Sequence, residues 1–72
     1  MIDRFDVGKR ISDRRTRLGM TQKELASKTD TTKSTVQKWE YGVHLPKKER
    51  IPKIAEHLKY SKEYLLYGSD EA

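Results

Sequence analysis

The chain has 72 residues, 33% of them hydrophobic, enough for one modest core and too few for two independent domains. Sixteen Lys and Arg against eleven Asp and Glu leave a formal charge of +5, a balance suited to an acidic polymer or an anionic surface. Cys is absent, which excludes a disulfide framework, a thiolate zinc site and a Cys nucleophile, and fits a reducing, cytoplasmic setting.

The apolar spacing is helical throughout, and no segment alternates as a strand would. The expected architecture is therefore all-α. The first helix is predicted from about Asp6 to Leu18, with Val7, Ile11 and Leu18 facing inward and Gly19 as the left-handed residue that ends it. Its other face carries Lys9, Arg10, Arg14 and Arg17. A second helix starts at Thr21, where Thr21 and Glu24 have the spacing of a capping box. Leu25, Ala26 and Thr29 form its inner stripe. The run Thr29 to Thr32 is too polar and β-branched to continue, and Asp30 tolerates the left-handed backbone of a sharp turn.

Thr32 caps a third helix that runs to about Tyr41 and stops at Gly42. Spacing of 100° per residue puts Thr32, Val36 and Trp39 on one side, and Lys33, Ser34, Gln37, Lys38 and Tyr41 on the other. That outer side is basic and free of acids. After a loop containing Pro46, Ile51, Ile54, Ala55 and Leu58 recur at the i, i+3, i+4, i+7 positions of an amphipathic helix. Pro52 fits only its first turn, so the regular helix begins near Arg50 or Ile51. Ser61 caps a last short helix ending at Gly68, and residues 69–72 are an acidic tail, suited to a linker toward a C-terminal domain as well as to a natural end. The expected core is Ile11, Leu18, Leu25, Ala26, Val36, Trp39, Ile51, Ile54, Leu58 and Leu65, inside one domain spanning 1–68.

Residues 22–41 thus read as a short helix, a turn and a second helix offering amide, hydroxyl and ammonium groups outward. This is the helix-turn-helix arrangement, whose second helix enters a major groove while the first lies across the backbone. Lys and Gln side chains are long enough to reach base edges and carry the donors that guanine O6/N7 or adenine require.

Several ordered matches extend the reading: Arg10-Ile11 with Arg15, then Leu18-Gly19-Met20-Thr21-Gln22, Glu24-Leu25-Ala26, Val36 with Trp39-Glu40 and Gly42, and Tyr64-Leu65-Leu66 with Gly68. In these the chain resembles the lambdoid phage repressor and Cro family, the XRE-type helix-turn-helix proteins. The resemblance implies a compact bundle of five short helices and a sequence-specific, double-stranded DNA-binding repressor. Such a protein acts as a homodimer on a palindromic operator, with no cofactor and no small-molecule ligand, in a bacterial cytoplasm or nucleoid. By position it implies base contacts from Lys33, Ser34, Thr35 and Lys38. Phosphate contacts fall to Gln22, Thr32, Tyr41, His44, Lys47 and Lys48. It further implies a structural ion pair between Arg15 and Glu40. Tyr60, Tyr64, Leu65 and Tyr67 exceed what so small a core needs, so Tyr60, Tyr64 and Leu65 are candidates for either core closure or a dimer contact. Four positions depart from the family pattern: Asp30 stands where Gly is usual, its flanks Thr29 and Thr31 where apolar residues are common, and Lys33 where several phage repressors have Gln.

Other classes fit less well. No stretch approaches the roughly 18 apolar residues of a membrane span, and Met1 to Asp6 lacks a signal peptide's apolar run. Membrane attachment through the basic side of the first helix would compete with the core for its few apolar residues. His44 and His57 lack the partners of a zinc site, and no nucleophile accompanies either as a base, so neither metal nor catalysis is expected. Trp39 shares a side with Val36 and belongs to the core. The alternative function is an antitoxin or adaptor module using the same fold to hold a protein. It would need a wrapping segment, and none is expected in the residues up to Ala72.

Overall fold

The computed structural model describes residues 2–68, and the acidic tail 69–72 lies outside the described residues. Five α-helices follow one another: α1 (Arg4–Arg17), α2 (Gln22–Lys28), α3 (Lys33–Glu40), α4 (Ile51–Leu58) and α5 (Lys62–Tyr67). No strand occurs among the described residues, and none of their helices is long and apolar enough to cross a membrane.

Local chemistry sets most boundaries. Thr21 and Glu24 close the capping box reciprocally, the Thr21 hydroxyl accepting from the Glu24 N–H at 3.0 Å and the Glu24 carboxylate from the Thr21 N–H at 2.7 Å. Thr32 and Ser61 cap α3 and α5 by accepting the N–H of Thr35 and Tyr64. Asp30 turns the chain at φ 58°, a conformation that Asp reaches at small cost. A 3₁₀ turn (Lys48–Arg50) leads into α4, with Pro52 in the first turn, where its missing N–H breaks no helical bond. α1 begins earlier than the apolar pattern indicates. Asp3 caps it by accepting from the Phe5 and Asp6 N–H groups, so the start is set by a polar residue ahead of the first buried position.

The core contains Val7, Ile11, Leu25, Ala26, Val36, Trp39, Ile51, Ile54, Ala55, Leu58 and Leu65, all buried. Thr29 is buried with them, its hydroxyl donating to the Leu25 carbonyl at 2.8 Å. One expected member is missing. Leu18 is exposed because it is the C-cap of α1, where the chain leaves the helix and turns through Gly19, so its side chain departs from the buried stripe.

The basic side of α1 also departs from a solvated surface. Arg10 donates to the carbonyls of Leu65 and Leu66, and Arg14 to those of Leu58 and Lys59, at 2.9 to 3.3 Å. Both guanidiniums thereby occupy the negative ends of α4 and α5, where carbonyls lack helical partners. Arg14 further lies over the Tyr60 ring, 5.0 Å from its centroid.

Candidate nucleic-acid interface

The orientation of α3 is fixed from beneath by a polar cluster. Arg15 on α1 grips Glu40 at the end of α3 through both carboxylate oxygens, Nε to Oε2 at 2.6 Å and Nη2 to Oε1 at 3.1 Å. Its Nη1 donates to the Met20 carbonyl at 2.9 Å. The Gln22 side chain, from the first turn of α2, donates to Glu40 Oε1 at 2.9 Å and accepts from the Gln37 amide at 3.3 Å. Glu40 and Arg15 are mostly buried, with side chains 4% and 14% exposed, yet every buried side-chain polar atom among the described residues has a partner. The hydrogen bonds to Glu40 push the Arg15 pKa up from an already high value, so the guanidinium stays charged at any working pH. Three helices are thus tied together through one carboxylate.

Close backbone approach completes the support. Gly8 of α1 lies against the Trp39 and Glu40 carbonyls, and a β-carbon there would collide with the Trp39 oxygen. The residue has no side chain because α3 occupies its place.

Above this support, Lys33, Ser34 and Lys38 are exposed on the outer side of α3. Thr35 is half-buried, its hydroxyl 3.0 Å from that of Thr32. Thr35 and Lys38 line a concavity of about 430 Å³ between α3 and the following loop, together with Thr31, Trp39, His44, Leu45, Lys47 and Arg50. No carboxylate lines it. The predicted Thr35, Lys38, His44 and Lys47 are therefore neighbours, although they come from two segments. Lys33 sits at the other end of α3, beside Lys23, Ser27 and Thr32. Tyr41 is exposed at the C-cap of α3. Lys48 is apart from the concavity, in a separate groove with Ile51, Pro52, Leu66 and Tyr67.

Two expectations change. Leu65 is fully buried within the monomer and has no surface for a partner, because α5 closes the core with it. Gln22 is largely used internally, by Glu40 and Gln37, which leaves one side-chain N–H for an outside ligand. Tyr60 and Tyr64 are half-buried with ring centroids 4.6 Å apart, and the Tyr60 hydroxyl donates to the Arg10 carbonyl. Thr31 and Arg50 escape a reading of the residue pattern. Arg50 looks like one more exposed charge before a helix, and only the folded turn brings it to the concavity.

The helix-turn-helix family model matches residues 11–65, well over half of the chain. Among solved structures, the fold is similar to that of the P22 c2 repressor in complex with a synthetic operator, at 28% identity and a TM-score of 0.85, covering 88% of this chain and 96% of that one. It is similar to the restriction-modification controller protein C.AhdI from Aeromonas hydrophila, at 28% identity and a TM-score of 0.80, with 89% and 93% covered. It is also similar to SinR, the master regulator for biofilm formation, in complex with DNA, at 28% identity and a TM-score of 0.75, with 82% and 95% covered.

Proposed function

The chain belongs to the XRE-type helix-turn-helix family of DNA-binding transcription regulators, and we propose that it is a repressor that reads a palindromic operator as a homodimer. The observation that carries this reading is the outer side of α3, where Lys33, Ser34 and Lys38 stand exposed on a helix whose tilt is held by the part-buried Arg15, Glu40, Gln22 and Gln37 cluster. Base readout needs donors presented on a rigid element, and this helix meets that requirement.

In the proposed complex α3 enters the major groove. Lys33 donates to guanine O6 or N7, with Ser34, Thr35 and Lys38 reading adjacent base edges. Gln22 gives its remaining side-chain N–H to a phosphate, and Thr32, Tyr41, His44, Lys47 and Lys48 grip the backbone on either side. Two copies related by a two-fold axis would place their α3 helices in successive major grooves, about 34 Å apart. Tyr60 and Tyr64 remain the proposed dimer contacts, and Leu65 is withdrawn. Repression follows from occupying a promoter-overlapping site and excluding polymerase, with no catalytic step. Lys33→Ala or Lys38→Ala should weaken specific binding by about 1 to 3 kcal/mol and relax base preference at the contacted positions. Unchanged footprints in both variants would remove α3 as the reading element.

A further inference from the structure

We infer that Arg50 and Lys53 are positioning residues, which latch the turn between α2 and α3 and so set how α3 is presented to a nucleic acid. The inference rests on the DNA-reading role proposed above for its consequence, and on the free protein alone for its geometry.

The turn is held from outside at three points. Arg50 Nη1 donates to the Thr29 carbonyl at 2.7 Å and to the Asp30 carbonyl at 3.0 Å. Lys53 Nζ donates to Asp30 Oδ2 at 2.6 Å. These carbonyls lie at the C-terminal end of α2, the negative end of its dipole, where a guanidinium forms charge-assisted bonds. Asp30 is the left-handed residue of the turn. A Gly there would have no carboxylate for Lys53, so the side chain that makes this conformation harder to reach also supplies the anchor. Arg50 and Lys53 are three residues apart at the start of α4, hence neighbours on one side of it. α4 itself is fixed by Ile51, Ile54, Ala55 and Leu58, all buried. The turn is therefore held to a rigid post, and α3 begins only two residues beyond Asp30, at its cap Thr32.

Arg50 also lines the concavity that holds Lys38, His44 and Lys47. A direct phosphate contact would thus be the competing role. Nη1 is already bonded to two turn carbonyls, which ties the guanidinium to the turn and favours positioning, while the donors on Nε and Nη2 make the salt dependence the deciding measurement.

The test uses Arg50→Met and Lys53→Met, which keep apolar stems and remove the donors, and Arg50→Lys as a partial rescue. Amide hydrogen exchange is followed on the free protein. Affinity for a selected duplex and for a scrambled one is measured over a range of salt concentrations. The latch predicts that exchange at Val36 and Gln37, in the first closed turn of α3, accelerates at least tenfold while Ile54 and Leu58 keep their protection. It predicts that the ratio of selected to scrambled affinity falls about tenfold with an unchanged salt slope, and that Arg50→Lys recovers part of both. Unaltered exchange in α3 would overturn the proposal, as would uniform acceleration across all helices, which is a general loss of stability. A salt slope reduced by about one with the affinity ratio intact would also overturn it, by making Arg50 a phosphate contact. If the wild-type protein prefers no duplex, the DNA-reading role fails, and the exchange measurement still decides whether the latch exists.

Discussion

At the scale of single residues, Glu40 has the largest structural consequence. Its carboxylate is almost fully enclosed and accepts from Arg15 twice and Gln22 once, so replacing it leaves a buried guanidinium without its counter-charge. Glu40→Ala should cost about 3 to 5 kcal/mol in urea unfolding, and Arg15→Met with Glu40→Ala should cost less than the sum of the two alone. A loss below about 1 kcal/mol would mean that the pair behaves as a screened surface bridge. Two exposed carboxylates make a separate, acid-dependent contribution. Hydrogen bonds from the Thr21 backbone and hydroxyl hold Glu24 below its usual 4.5, and the Lys53 ammonium holds Asp30 below its usual 3.8. Each folded-state pKa is depressed, so each carboxylate stabilises the fold above the unfolded value and loses that contribution as pH falls through the folded value. Urea midpoints should decline from about pH 5 downward, and Glu24→Gln with Asp30→Asn should flatten that decline. A double variant that follows the wild-type curve would remove both residues from the acid response.

At the scale of elements, the bundle depends on how closely α1 can approach α3. Glycine inside a helix ordinarily costs about 0.5 to 1 kcal/mol relative to alanine. At Gly8 the balance is reversed by the Trp39 and Glu40 carbonyls, which occupy the place of a β-carbon. Gly8→Ala should therefore destabilise by about 1 to 3 kcal/mol, read as a lower melting temperature. A rise in melting temperature would show that α1 can move away freely. Elements with local determinants were legible in the sequence: the Thr21, Thr32 and Ser61 caps, the left-handed Asp30 and the Pro52 start of α4 each depend on neighbours within a few positions. Arg10 and Arg14 were not legible, because their partners are backbone carbonyls 44 to 56 residues away, which no residue pattern marks. Leu18 leaves the core for a related reason, since a helix periodicity continued one residue too far assigns an exposed cap to the core. Gly8 did carry a signal, a lone glycine amid helix formers, but not the identity of the element that needed the space.

At the scale of the molecule, the net charge of +5 gives an incomplete account of the field. Arg10, Arg14, Arg15 and Arg50 are used at helix ends, in the ion pair and at the turn, whereas Lys33, Lys38 and Lys47 remain exposed around α3. Lys33, Ser34 and Lys38 were legible on the outer side of one short helix and Thr35 only through the family resemblance, while the grouping of Thr35 and Lys38 with Thr31 and Arg50 required the loop after α3 to fold back. If the exposed lysines meet phosphates, affinity for any duplex should fall with salt at a slope of about 0.9 per neutralised phosphate, as counterions are released. The central claim is that α3 reads base sequence in a two-fold arrangement. Selection of binding sites from random double-stranded DNA tests it most directly. The account predicts a palindromic consensus, its half-site centres one helical turn apart, with the enriched bases at the positions relaxed by Lys33→Ala and Lys38→Ala. A selection that enriches no sequence over the starting pool would contradict it.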